Sequence, residues 1–363
     1  MLDRGGQMAL TDVLRTFEPG RGHGPDLSVR WFDTWHGRLD DALAVLPEME
    51  TCPHELFRLL ATNPGRTHKR IALVSRNGDP VAVAALRADD RHWKPVTEET
   101  TPRSVFPAAP GFLVPALNAL GRDLWVSGWE ELPGDAAGVR RMVPTGIYRA
   151  ELATDYEAYW RETGHHKTVR QARNRTIAMT VKVDAPGGLE WNINGWAQRW
   201  ERTDSDDTRD RMVAAKYLAT TGQYHWLTLH DGDDIVAACS FLEYRGDVIS
   251  QITHRLLGHE DLKLGTRVFD ASFQWAAEAG YRRLDLGGGH DYKGRWAPPD
   301  GYRWSLNFCP LFDYRSKQCY RAARSMAVRT MAHSRGRLQG MLHGPDRDAN
   351  TAAPEAEPGA VAR

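Results

Sequence analysis

Between Gly258 and Trp296 the chain passes without a gap through a polar loop, an amphipathic helix, a short apolar strand and a glycine-rich turn. This run constrains the fold most, because it fixes where a helix starts, where it stops and what must sit behind it. The loop Gly258 to Thr266 opens the helix, in which Arg267, Asp270, Gln274 and Glu278 share one face and Val268, Phe269, Phe273, Ala276 and Ala277 another. Gly280 ends it in the position where a left-handed residue commonly terminates a helix. The first N–H groups of a helix lack intrahelical partners and its dipole is positive there, so Gly265 and Thr266 sit where a pyrophosphate can bind, with Lys263 adding a charge. An ordinary loop-to-helix junction is the competing reading.

The strand Tyr281 to Leu286 then delivers Gly287, Gly288 and Gly289, followed by His290, Asp291, Tyr292, Lys293, Gly294, Arg295 and Trp296. Leu284-Asp285-Leu286-Gly287-Gly288-Gly289 looks like the first motif of S-adenosylmethionine-dependent methyltransferases, but that motif opens a sheet, whereas here little more than basic helix and tail remains. The order strand, strand, phosphate-loop helix, strand, then an aromatic residue resembles the GNAT acyltransferase superfamily. More narrowly, Asp285-Leu286-Gly287-x-Gly289 with Tyr292, Lys293 and Trp296 resembles its FemAB-like branch, the BioF2-like acetyltransferase domain. The resemblance spans about residues 146 to 312. One departure matters: the usual Gln/Arg-x-x-Gly-x-Gly/Ala loop is absent, since only Gly265 is present and Arg267 follows, and Fem-type relatives use aminoacyl-tRNA as donor.

Composition narrows the classes. The 363 residues carry 47 Lys plus Arg against 47 Asp plus Glu, so no overall field draws in nucleic acid or membrane. Cys52, Cys239, Cys309 and Cys319 are widely spaced, with no Cys-x-x-Cys pair for zinc or a redox dithiol. No apolar run approaches the roughly 18 residues that span a bilayer, and the start lacks a signal-peptide core, so a cytoplasmic protein without metal is expected.

The halves of the chain repeat one another weakly. Residues 71 to 86 read as a strand, an Asn-Gly turn and a strand, and residues 226 to 242 repeat that layout around Asp231-Gly232-Asp233. Phe112 to Leu120, Gly121 and the segment Asp123 to Gly128 then parallel the later helix, Gly280 and Leu284 to Gly288. We therefore expect an α/β fold of mixed α+β sheet type made of tandem GNAT-like domains: a degenerate copy at 1–140, a catalytic BioF2-like copy at 146–325, and a basic helix with a disordered tail at 326–363. A Gly/Pro/Ala-rich joint lies near 133–144. In the first copy Pro115 interrupts the helix and Trp125 replaces Asp285, which predicts a lost phosphate site.

A basic helix is expected from about Asp155 to Ala178. It places His166, Arg170 and Arg173 on one face, either converging on an anion or simply solvated. A pair of helices follows from Gly195 to about Thr221, packing through Trp196, Trp200, Met212, Val213 and Tyr217. The segment Arg315 to Arg337 is basic with no acidic residue and suits anionic lipid at the inner membrane, a tRNA backbone, or a solvated capping helix. No DNA contact is expected.

The resemblance implies acyl transfer from acetyl-CoA or another acyl-CoA to an amine, with Lys263, Leu264, Gly265, Thr266 and Arg267 holding the donor and His166, Arg170, Arg173 and Trp296 the acceptor. It implies that Asp247 to His254 and Arg283 to Leu286 splay apart around the pantetheine arm. Such chemistry needs a base for the amine and a proton for the departing thiolate. Tyr292 is the candidate acid, or a packing tyrosine. Lys293 binds an acceptor anion, stabilises a tetrahedral anion, or is a surface lysine. Asp285 alternates with Leu284 and Leu286, so it faces the other side of the sheet and either fixes the glycine turn or acts as a base. His254 is the second base candidate or a structural histidine, and His290 with Asp291 either shuttles a proton or shapes the turn. An amino sugar or cell-envelope polysaccharide precursor is the acceptor the resemblance suggests. A Fem-type aminoacyl-tRNA-dependent transferase of peptidoglycan precursors and a non-catalytic GNAT-like binding module are the alternatives.

Overall fold

A computed structural model describes residues 26–308 except 90–91, 99, 104, 121–122, 131–138, 153–155 and 289–290. The expected basic C-terminal helix, Cys309, Cys319 and His290 lie outside the described residues. By its contacts the chain groups into Met1–Pro310 and Leu311–Arg363.

The first half lays down β1 (Leu27–Phe32), α1 (Gly37–Val45), α2 (His54–Thr62), β2 (Lys69–Arg76), β3 (Asp79–Ala88), β4 (Trp93–Pro95), α3 (Leu113–Ala119) and β5 (Leu124–Trp129). A long strand, β6 (Val139–Glu151), leads into α4 (Tyr156–Glu162), α5 (His166–Arg175), β7 (Thr180–Val183), α6 (Gly188–Arg199) and α7 (Asp206–Thr220). The second half continues with β8 (Tyr224–Asp231), β9 (Asp234–Tyr244), β10 (Asp247–Arg255), α8 (Leu264–Glu278), β11 (Arg283–Gly288) and β12 (Pro299–Phe308).

All twelve strands join one sheet in the order β1-β2-β3-β4-β5-β12-β6-β11-β10-β9-β8-β7. The sequence repeat is visible in it: β3 pairs antiparallel with β4 and β4 parallel with β5, as β9 pairs antiparallel with β10 and β10 parallel with β11. The hairpin between β2 and β3 turns on Asn77 and Gly78, both at positive φ (53° and 94°), a geometry whose twist matches that of the strands. The joint expected near 133–144 overlaps β6. That strand follows the first half but pairs with β11 of the second, while β12 follows the second half and pairs with β5 of the first. β6 and β12 then pair with each other. Residues 147–151 of β6 pair with β11 and residues 139–148 with β12, so the sheet is continuous across the joint.

The expected helix over 155–178 is two helices, α4 and α5, separated at Gly164, whose φ of 75° leaves the helical region. The helix pair placed at 195–221 begins earlier, at Gly188.

Two apolar clusters divide the packing. Leu189 and Ile193 of α6 and Ala214 and Leu218 of α7 join the core of the first half around Leu56, Phe57 and Leu60. Trp160 of α4, Val169 of α5 and Phe269 and Phe273 of α8 pack with Leu284 and Leu286 of β11 in a second cluster. A buried ionic network ties α7 to the first half: Asp210, 0 % exposed, meets Arg87 at 3.0 Å and Lys69 at 3.3 Å, and Asp206 accepts from the N–H groups of Arg66 and Thr67. No helix among the described residues is long and apolar enough to cross a membrane.

Candidate active site

The parallel pair β10 and β11 sets the geometry. Among the described residues they pair at Asp247 with Arg283, Val248 with Leu284 and Ile249 with Asp285, and their pairing stops there. β10 then carries an irregularity between Ser250 and Ile252 against β9, and β11 shifts register between Asp285 and Gly288 against β6. A bulge bends its strand and strengthens the local twist. The two strands accordingly part at their C-terminal ends, and His254 lies on the far arm of the opening.

α6 packs over that arm. The Trp191 ring meets the His254 imidazole with centroids 4.8 Å apart, and Asn192 donates through Nδ2 to the Ile252 carbonyl at 3.3 Å. Gly195 makes room for the histidine: a Cβ there would lie 2.3 Å from its Cδ2 and Nε2. Among the described residues His254 Nδ1 is buried without a partner. Burial, assisted by the Arg199 charge, holds the His254 pKa below the usual imidazole range, which leaves the ring neutral near pH 7.

Tyr292 and Lys293 lie on the short 3-10 turn Asp291–Arg295 that follows β11. Burial raises the Tyr292 pKa against the opposing effect of Arg199, so the phenol keeps its proton. Arg199 therefore acts on both Tyr292 and His254. Lys293 folds back over the glycine turn, its Nζ donating to the Gly288 carbonyl at 3.0 Å and lying 3.5 Å from where a Cβ of Gly287 would stand. Burial lowers its pKa, with Asp285 opposing and Arg303 adding to the effect. Asp285, 1 % exposed, accepts from Arg149 Nε at 2.8 Å, Arg303 Nη2 at 2.6 Å and the Gly287 N–H at 2.6 Å. It faces away from the Leu284 and Leu286 cluster and holds the turn.

At the other end of the opening, α8 begins after Lys263, which has φ 55°. Among the described residues no side chain caps this helix and its first turn contains no acidic residue, so neither offsets its leading N–H groups and dipole. Lys263 Nζ donates to Gln171 Oε1 at 2.7 Å, and Arg267 pairs with Asp270 at 3.1 Å. Gly265 leaves space beside Arg255, whose Cδ would stand 3.5 Å from an added Cβ, while Thr266 is half-buried and the Leu264 side chain is buried. Backbone N–H groups, Lys263 and Arg255 together suit a phosphate-bearing donor.

The four residues expected to hold the acceptor are not gathered in one place. His166 and Arg170 are exposed on α5. Arg173 turns inward, bonding Asp270 through Nε at 2.8 Å and pairing with Glu157. Trp296 stacks on Phe269 at 5.6 Å and 5° and packs against Trp160 and His165. Sequence reasoning missed Trp191, Gly195 and Arg199. A glycine inside a helix, unfavourable there by about 1 kcal/mol, was the available signal, since such a residue usually has a packing or functional reason.

Residues 163–296 match a family model described as acetyltransferase (GNAT) domain. Among solved structures, the C-terminal domain of a putative lysylphosphatidylglycerol synthetase from Agrobacterium fabrum is similar at 14% identity, covering 74% of this chain and 90% of that one with a TM-score of 0.44. FemX is similar at 12% identity, over 79% of this chain and 99% of that one, TM-score 0.41. A tandem GNAT protein from the clavulanic acid biosynthesis pathway is similar at 13% identity, over 78% and 99%, TM-score 0.43. No curated protein matches the chain. The matched segment carries β10, α8, β11 and Tyr292 with Lys293.

Proposed function

We propose that the protein transfers an acyl group from acyl-CoA to an amine acceptor, with chemistry at the parted ends of β10 and β11. The observation that carries this reading is the three-residue parallel pairing that opens between His254 on one side and the glycine turn with Tyr292 and Lys293 on the other. Acyl-CoA supplies the thioester whose carbonyl carbon accepts the amine. The open N–H groups of α8 with Lys263 and Arg255 bind its phosphates.

His254, neutral and with Nδ1 unpartnered, takes the proton the amine loses as its nitrogen bonds to the carbonyl carbon. Tyr292, whose raised pKa keeps it protonated, gives its proton to the thiolate sulfur as the carbon–sulfur bond breaks. Lys293 supplies a donor beside the glycine turn for the tetrahedral anion. Asp285 holds the turn through the Gly287 N–H. In the first half, α3 is seven residues long and contains Pro115, against fifteen residues in α8, so this reading assigns the donor site to the second half alone.

Isothermal titration with acetyl-CoA and with free coenzyme A, on the wild type and on Gly265→Trp, tests the reading. Binding to the wild type that the variant abolishes supports it. An absence of binding to either ligand overturns it in favour of an aminoacyl-tRNA donor or a scaffold.

A further inference from the structure

On the face of the sheet that carries Asp285, a cavity of about 370 Å³ opens at the seam between the two halves. Its wall takes Arg103, Trp129 and Glu130 from the first half, Arg149 from β6, Arg283 and Asp285 from β11 and Arg303 from β12. The pairing of β6 with β11 and of β12 with β5 and β6 is thus what brings the wall together. Six arginines line the cavity against three carboxylates, those of Glu130, Asp247 and Asp285. Arg149 and Arg303 are built in, with side chains only 11 % and 15 % exposed, and both are held in place by Glu130 and Asp285. The Arg103 guanidinium lies 3.7 Å from the centroid of the Trp129 ring.

Trp129 supplies an independent sign of a ligand. It is 3 % exposed, and its indole Nε1 is buried with no hydrogen-bond partner among the described residues. A buried indole N–H is ordinarily satisfied, because leaving a donor unpaired costs on the order of 1–3 kcal/mol. An unpaired donor on a residue of a cavity wall rich in arginine is explained by an acceptor atom that arrives from outside.

We propose that this cavity binds a phosphate group, received by the Trp129 indole N–H and the Arg103, Arg149 and Arg303 guanidiniums. Donors arriving from β5, β6, β12 and the loop before α3 approach from several directions, which suits the tetrahedral oxygens of a phosphate better than a planar carboxylate. The cavity adjoins the reaction centre, since Asp285 lines it and also holds the glycine turn over which Lys293 folds. The ligand is therefore the phosphate end of the amine acceptor. This last assignment rests on the acyl-transfer reading, whereas phosphate binding does not.

The test is titration of the full chain with inorganic phosphate and pyrophosphate, for the wild type, Trp129→Phe, Arg103→Gln and Gly265→Trp, with acetyl-CoA titrated in parallel. Trp129→Phe keeps an aromatic ring but removes the donor together with the rest of the pyrrole ring, so Arg103→Gln, which leaves the indole in place, is read beside it. The expected result is pyrophosphate binding that weakens about tenfold in Trp129→Phe and in Arg103→Gln, persists in Gly265→Trp, and leaves acetyl-CoA affinity unchanged in the first two variants. Wild-type protein that binds neither anion, or binding lost only in Gly265→Trp, overturns the proposal. Pyrophosphate binding without acetyl-CoA binding sustains the cavity and sinks the acyl-transfer reading instead.

Discussion

Arg149, on the strand that follows the first half, donates through Nε to the Asp285 carboxylate of β11 at 2.8 Å. With Arg303 of β12 on the same oxygen, one buried carboxylate fastens β6 and β12 to the glycine turn. Asp285→Asn keeps the shape and removes the charge, leaving two largely buried guanidiniums less well paired. Breaking such a pair costs about 3 kcal/mol, so urea unfolding of the variant is expected at a clearly lower midpoint. An unchanged midpoint means that the carboxylate serves chemistry and not the fold.

Asp206 gives a pH-dependent counterpart. Burial works to raise its pKa, but hydrogen bonds from the Thr67 hydroxyl and from the Arg66 and Thr67 N–H groups outweigh it and hold the pKa below the ordinary aspartate value. A group depressed on folding contributes stability that is complete above its unfolded pKa and is lost as pH falls through its folded one. Asp206→Asn is therefore expected to destabilise at pH 7 by about 1–3 kcal/mol, with the difference from wild type narrowing toward pH 3. Equal differences at both pH values would show that the carboxylate charge is irrelevant.

His254→Gln is expected to lower kcat by about 10² to 10⁴, the usual range for loss of a positioned base. Because the His254 pKa is depressed, the acidic limb of the rate profile lies below the unperturbed imidazole value. Arg199 contributes to that depression. Arg199→Gln is thus expected to move the limb to higher pH while the plateau stays near its wild-type height. A limb that does not move removes His254 from the role of base.

Gly195→Ala places a methyl group 2.3 Å from His254, whose ring already packs against Trp191 with centroids 4.8 Å apart. In the interior of α6 the change itself favours the helix by about 1 kcal/mol. The expected outcome is a variant that unfolds near the wild-type midpoint yet loses at least tenfold in kcat/KM. Full activity in that variant would show that the position of His254 does not matter to the reaction.

Local pattern made part of this legible. The alternation of Leu284, Asp285 and Leu286 places the carboxylate opposite the apolar cluster, and the structure has it there. Asn77-Gly78 and Gly232 mark the two hairpins, because few residues tolerate their positive φ. The amphipathic α8 and its uncapped start were readable because a helix carries its periodicity and its unpaired donors within one contiguous segment.

What lies between segments was not readable. Arg173 shares its helix with His166 and Arg170, but only packing shows that it turns inward to Asp270, 97 residues away, and leaves the other two in solvent. Trp296 follows the glycine turn in sequence and stacks in the core on Phe269. The placement of β6 and β12 side by side at the middle of the sheet joins strands far apart in sequence, and the cavity at the seam is lined from both. Sequence by itself determined the elements and their repetition, since propensity and period are local. The tertiary structure decided the partners, since burial and charge pairing depend on residues that meet only when the sheet closes.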